Sequence, residues 1–300
     1  MQTATTGGAN AKGPIVWLDM DQQQLDDAYD QIVYAPNRDQ IAKRRLANSA
    51  AARARLGEPL RMAYGPTPIE GLDVYRCNTP NAPVAIFVHG GAWLNGTASE
   101  FASLAEPFVH AGAHFAVLDF TNIADAGGSL VPMVEQVRRA VGFLYRNAEK
   151  FNGDRNRLYL ISHSSGSHLA GCVVTNDWAK DGFPLDILKG AVLSSGMYDL
   201  KPVRLSKRSK YVKFTDAMEN ELSAIRHLDR LNTPLVLTYG TYETPEFQRQ
   251  TRDFAAAVKA AGKPVELLVG EGYNHFEMLE TLANPYGLLG RAVFKQMGLS

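Results

Sequence analysis

Three hundred residues at 45% hydrophobic content are enough to bury a substantial core within one domain. Thirty-one basic side chains balance 31 acidic ones, which argues against a nucleic-acid partner and against electrostatic attachment to a membrane, and points to small ligands. The two cysteines, Cys77 and Cys172, stand far apart in apolar contexts and suggest neither a disulfide framework nor a zinc site.

The polar start, Met1 to Gly13, reads as disordered and lacks the basic residues and apolar run of a secretory signal. No stretch approaches the ~20 apolar residues of a membrane span, so a soluble cytoplasmic protein is expected. Asp19 or Asp21 is placed to cap a first helix carrying the stripe Leu25, Ala28, Tyr29, Ile32 and Val33, which ends at Pro36. A second helix spans 38–56, with Gly57 stopping it. Residues 1–58 therefore form an N-terminal extension ahead of a main domain over 59–300. Whether the extension packs on a rim, roofs a pocket or mediates dimerisation stays open.

From about Leu60 short β-rich runs appear at 60–64 and 72–76, followed by the apolar run Val84–Val88, the pattern of a strand buried on both faces. Strands at 114–118, 158–161, 191–195, 235–239 and 265–269 then alternate with helices near 99–111, 131–150, 165–176 and 245–261. Strands alternating with helices predict a mostly parallel sheet with helices on both faces. The rhythm lapses from Met197 to Leu231, which reads as a lid-like insertion over the C-terminal edge of the sheet.

The stretch Ile161-Ser162-His163-Ser164-Ser165-Gly166-Ser167 runs from a strand through small residues into a helix. Such an elbow presents a nucleophile, here Ser164, and needs small neighbours because the turn is sharp. The usual pattern is Gly-x-Ser-x-Gly; this chain has Ser162 in place of the first glycine. A serine hydroxyl also needs a base to take its proton and a third group to orient that base. In an α/β-hydrolase sheet the order is serine, acid, histidine, each after its own strand. His275 follows the last expected strand and Glu243 the one before it, with Glu246 and Asp199 as fallback acids.

Attack on a carbonyl places charge on its oxygen, and preorganised N–H groups stabilise it by about 3–4 kcal/mol each. His89-Gly90-Gly91-Ala92-Trp93 supplies candidate donors at Gly91 and Ala92, joined by Ser165 at the start of the helix after the elbow. Trp93, Phe120, Tyr198 and Tyr273 follow strand ends and are expected to wall a substrate ring. No Cys-x-x-Cys pair is present, and no metal is expected. The basic run Lys201, Arg204, Lys207, Arg208, Lys210 and Lys213 is most simply a solvated loop. The sharper reading is that part of it attracts a carboxylate-bearing substrate.

With Glu243-Thr244-Pro245-Glu246-Phe247 and Asn274-His275-Phe276 added, the chain resembles the kynurenine formamidase (arylformamidase) group of α/β-hydrolases over nearly its whole length. That group's HGGxW segment is matched letter for letter, and its Gly-His-Ser-Ala-Gly elbow appears as Ser162 to Gly166. The resemblance implies acyl transfer to water, without a metal or organic cofactor, from an aromatic amide or ester such as an N-formyl or N-acyl aryl amine. Carboxylesterase and aryl carbamate hydrolase are the alternatives. A ligand-binding protein on the same fold is the rival of a different class, and His275 argues against it. The extra N-terminal helices suggest a homodimer.

Overall fold

A computed structural model of the chain describes residues 12–299; the polar start expected to be disordered lies, up to residue 11, outside the described residues. The extension begins with a small antiparallel hairpin, β1 (Ile15–Trp17) and β2 (Met20–Asp21), too short to leave a period in the sequence. Three helices follow rather than two: α1 (Gln22–Ala28), α2 (Gln31–Tyr34) and α3 (Arg38–Leu56). Asp21 caps α1 in a reciprocal box with Gln24. The expected stripe breaks at Tyr29 because Asp30 caps a new turn, accepting the Ile32 N–H at 3.0 Å. Leu25, Ala28 and Tyr29 stay buried, whereas Ile32 and Val33 swing outward to 49% and 60% exposure. The third helix keeps its expected bounds, with Gly57 at φ +79 beyond it.

The main domain continues through β3 (Leu60–Ala63), β4 (Gly71–Tyr75), β5 (Ala82–Val88), α4 (Ala105–His110), β6 (His114–Leu118) and α5 (Val131–Asn147). After these come β7 (Gly153–His163), α6 (Ser165–Val174), β8 (Gly190–Ser194), α7 (Leu200–Leu205) and α8 (Asp216–Glu221). The last elements are β9 (Leu235–Gly240), α9 (Pro245–Ala260), β10 (Val265–Gly270), α10 (His275–Glu280) and α11 (Leu288–Met297).

The eight main strands form one sheet in the order β3-β4-β6-β5-β7-β8-β9-β10, parallel except where β4 meets its two neighbours. Alternation along β5 builds two core layers: Val84, Ile86 and Val88 pack with α5, α6 and α9, while Ala85 and Phe87 pack with α4 and α11. The chain leaves β5 toward β6 and returns to its other side as β7. Beyond the C-terminal ends of strands at such a switch point a crevice opens. The loop after β5 and the elbow after β7 therefore meet there.

The insertion between β8 and β9 holds α7, α8 and short 3-10 turns. It is fastened to the extension: Gln22 Nε2 donates to the Leu205 carbonyl at 2.9 Å, and the Lys207 N–H donates to Asp26 at 2.6 Å. Both cysteines are buried and unbonded to each other. Among the described residues no helix is long and apolar enough to cross a membrane.

Candidate active site

Ser164 stands between β7 and α6 at φ 59, ψ −130, a backbone state that side-chain-bearing residues rarely adopt and that costs about 1–3 kcal/mol. Its N–H donates to the Ser194 carbonyl at 2.9 Å, which fixes the turn to β8. A Cβ at Gly166 would strike the Val88 and His89 carbonyls, and one at Gly90 would sit 2.8 Å from Ser164 Cβ, so both positions require glycine. Ser162 lies within the sheet, its Oγ 2.9 Å from Ser167 Oγ, and Ser167 in turn donates to the Ser194 carbonyl at 2.7 Å. Because the Ser167 proton is engaged there, Ser162 is the donor to Ser167.

His275 opens α10, whose cap is Asn274 with a reciprocal bond from Glu277. Its Nε2 lies 2.8 Å from Ser164 Oγ and its Nδ1 2.7 Å from Glu243 Oε2. A carboxylate facing Nδ1 keeps the proton on that nitrogen and leaves Nε2 as an acceptor for the serine hydroxyl. The other carboxylate oxygen, Oε1, accepts the Ser195 hydroxyl at 2.6 Å and the Gly240 N–H at 2.7 Å. Glu243 and His275 are both almost wholly buried, at 1% and 3% exposure. His163 donates from Nε2 to the His275 carbonyl at 2.8 Å, its ring centroid 4.5 Å from that of His275. Burial first, then the neighbouring His275, hold its pKa well below the usual histidine value, so it stays neutral.

After β5 the backbone passes through positive φ at Gly91, Ala92 and Trp93, and the Trp93 N–H donates to Ser165 Oγ at 3.2 Å. That bond ties the loop to the elbow. Among the described residues the N–H groups of Gly91, Ala92 and Ser165 donate to no intramolecular acceptor. All three residues border Ser164 either on the cavity wall or along the chain. The geometry thus gathers every expected catalytic and oxyanion position at one place.

The fallback acids are engaged elsewhere. Glu246 pairs with Arg249 and accepts the Tyr29 hydroxyl, while Asp199 caps α7 and pairs with Arg226. The expected aromatic wall is corrected. A cavity of about 690 Å³ opens beside Ser164, and none of Trp93, Phe120, Tyr198 or Tyr273 is on its lining. Trp93 is buried edge-on to His168, Phe120 stacks on His89 and Tyr198 stacks on Phe254. Tyr273 points outward at 38% exposure. The rings on the cavity wall are Tyr29, Phe101, Tyr211 and Phe276, contributed by both the extension and the insertion as well as the main domain. Sequence reasoning also missed Ser195 and Gln31, which contact the Glu243 turn: Ser195 bonds the carboxylate, and the Thr244 N–H donates to Gln31 Oε1 at 3.3 Å. Only the position of Ser195 directly after a strand end signals it.

The BD-FAE family model matches residues 72–192. The kynurenine formamidase of Danio rerio is 30% identical over 298 residues, covering 95% of this chain and 99% of that protein. Isoprenylcysteine alpha-carbonyl methylesterase of Arabidopsis thaliana is 27% identical, over 72% of this chain and 56% of its own length. The solved structure of an esterase from Pyrobaculum calidifontis superposes with a TM-score of 0.71 at 18% identity, covering 92% of this chain and 97% of the other, a likeness of fold. Identity of 30% over nearly the whole of both chains decides the assignment: this chain belongs to the kynurenine formamidase family and is a hydrolase of the α/β-hydrolase fold.

Proposed function

We propose that this protein is a serine hydrolase that cleaves an aromatic amide or ester, an N-formyl or N-acyl aryl amine in first place, through an acyl-enzyme on Ser164. The observation that carries the reading is the unbroken hydrogen-bonded series Ser164, His275, Glu243 at the edge of an open cavity. Ser164 Oγ attacks the carbonyl carbon while its proton passes to His275 Nε2. The charge that moves to the carbonyl oxygen faces the N–H groups of Gly91, Ala92 and Ser165. Collapse breaks the bond to the aryl amine or phenol, which leaves with the proton from His275. Water then attacks the serine ester, gives its proton to His275, and the acid departs as Ser164 recovers that proton.

The buried Glu243 carboxylate stabilises the histidine whenever it carries the extra proton, and Ser195 and Gly240 hold that carboxylate in line. The Danio rerio relative is named a kynurenine formamidase, which supports the aryl amide; the Arabidopsis relative is named a methylesterase, which makes ester cleavage the second reading. A fluorophosphonate should label the wild-type protein once and leave Ser164→Ala unlabelled. Rates on formanilide against phenyl acetate then separate amide from ester preference. An unlabelled wild type would overturn the hydrolytic reading of Ser164 in favour of a binding protein.

A further inference from the structure

Acidic groups on the cavity wall already have cationic partners: Asp30 pairs with Lys207, Glu100 with Arg45 and Glu280 with Arg44. Arg208 differs. It lines the same cavity as Ser164 and His275, is only 7% exposed, and has no carboxylate partner among the described residues. Residues 1–11 contain no Asp or Glu. One N–H at Nη1 donates to the Tyr211 hydroxyl at 2.9 Å and one at Nη2 to the Tyr29 carbonyl at 3.3 Å. Nε is buried with no hydrogen-bond partner among the described residues, and each Nη keeps a second N–H.

A guanidinium does not shed its proton, so this charge persists in a poorly solvated place. Aromatic faces offset part of the cost: its central carbon lies 5.3 Å from the Trp93 ring centroid and 5.9 Å from that of Phe247. The Phe247 ring is itself 5.1 Å from that of His275, so one ring separates the unpaired cation from the expected base. Asp30, already paired with Lys207, lies near enough to feel the Arg208 charge but accepts none of its N–H groups; the open space able to bring a bonded counterion is the cavity. Lys210, the other cation on the wall without an ion pair among the described residues, is exposed, where salt screens it.

We propose that Arg208 is an anion subsite, holding a carboxylate of the substrate by charge-assisted hydrogen bonds while the scissile carbonyl lies at Ser164. The proposal rests on the reading of Ser164 as nucleophile and narrows the substrate class to aromatic amides or esters that carry a carboxylate. The test is binding without turnover. In a Ser164→Ala background, calorimetric titration with 2-acetamidobenzoate and its neutral partner 2-acetamidobenzamide should show about 10- to 100-fold tighter binding of the carboxylate, with weak dependence on salt. Adding Arg208→Met should abolish the preference, and Arg208→Lys should restore part of it, because the ammonium keeps the charge but not the fork.

Equal affinity for the two probes with Arg208 intact overturns the proposal, whether or not the methionine variant folds. A preference that survives Arg208→Met, or one that collapses with added salt, overturns it in favour of the exposed lysines. Fluorophosphonate labelling of the Ser164-containing protein is scored separately. A clear carboxylate preference with no labelling would retain the subsite and reject the nucleophile.

Discussion

Replacing Glu243 with glutamine keeps the volume of the side chain but exchanges one acceptor oxygen for a donor NH₂, and the groups bonded to the two oxygens determine the effect. In one orientation the amide oxygen stays where Oε1 now accepts the Gly240 N–H and the Ser195 hydroxyl, so the NH₂ faces His275 Nδ1. That nitrogen must then become the acceptor, the ring proton moves to Nε2, and Ser164 loses its base. In the flipped orientation the oxygen serves His275, but the NH₂ confronts the fixed Gly240 N–H, two donors at a separation that is now 2.7 Å. An unsatisfied buried donor costs about 1–3 kcal/mol, which confines the working orientation to between roughly a fifth and less than a hundredth of molecules. Even those lack the negative charge that stabilises the protonated ring. Together the effects should lower kcat by about 10³- to 10⁴-fold, equivalent to about 4–5.5 kcal/mol of activation free energy. Initial rates on phenyl acetate and the rate of fluorophosphonate labelling both report serine activation, with circular dichroism melting to confirm folding. A folded Glu243→Gln protein within tenfold of wild type would refute the assignment of Glu243 as the orienting acid.

The same geometry leads to two more expected outcomes. Ser162→Gly removes one buried hydrogen bond and frees the strand backbone, yet Ser167 keeps its bond to the Ser194 carbonyl; urea unfolding should show a loss of about 1–2 kcal/mol while kcat stays within a few-fold. A large loss of kcat would mean the hydroxyl acts on the chemistry. Burial holds the pKa values of His89, His114, His163 and His168 below the usual 6.5, that of His168 at about 4. The unfolded chain therefore takes up protons first, and stability falls as pH drops from 6.5 toward 4, with about 3 kcal/mol from His168 alone. Urea titrations at a series of pH values check this, and a flat profile across that window would refute it.

The features legible in the sequence were those fixed by local backbone chemistry. Gly57 stops α3 where expected, Pro245 opens α9, and the order of Ser164, Glu243 and His275 after successive strands predicted their meeting. Side-chain direction beyond a strand end was not legible. Trp93, Phe120, Tyr198 and Tyr273 all occupy such places, yet three turn into the core and one into solvent. Two of the cavity's own rings come from stretches with no sequence relation to the motif, Tyr29 after α1 and Tyr211 in the insertion. Arg208 was visible only as one of six basic residues, because its burial depends on the extension whose Tyr29 carbonyl it meets. Likewise the break at Tyr29 turns on whether Asp30 faces solvent or caps a turn, a choice made by packing.

The loop carrying His275 is held by residues far earlier in the chain. Asn274 Nδ2 donates to Asn37 Oδ1 at 2.8 Å, and Asn37 Nδ2 donates to Glu277 at 2.7 Å. A ribosome makes Asn37 early and His275 late, so the nascent chain carries its serine, its elbow and its N–H donors for a long interval with no base beside them. Under the proposed mechanism Ser164 gains its base only when the turn beyond β10 has docked against Asn37, just ahead of α3. The proposed mechanism therefore predicts no acyl transfer by an incomplete chain, and a first turnover only where sequence-distant segments have already found one another.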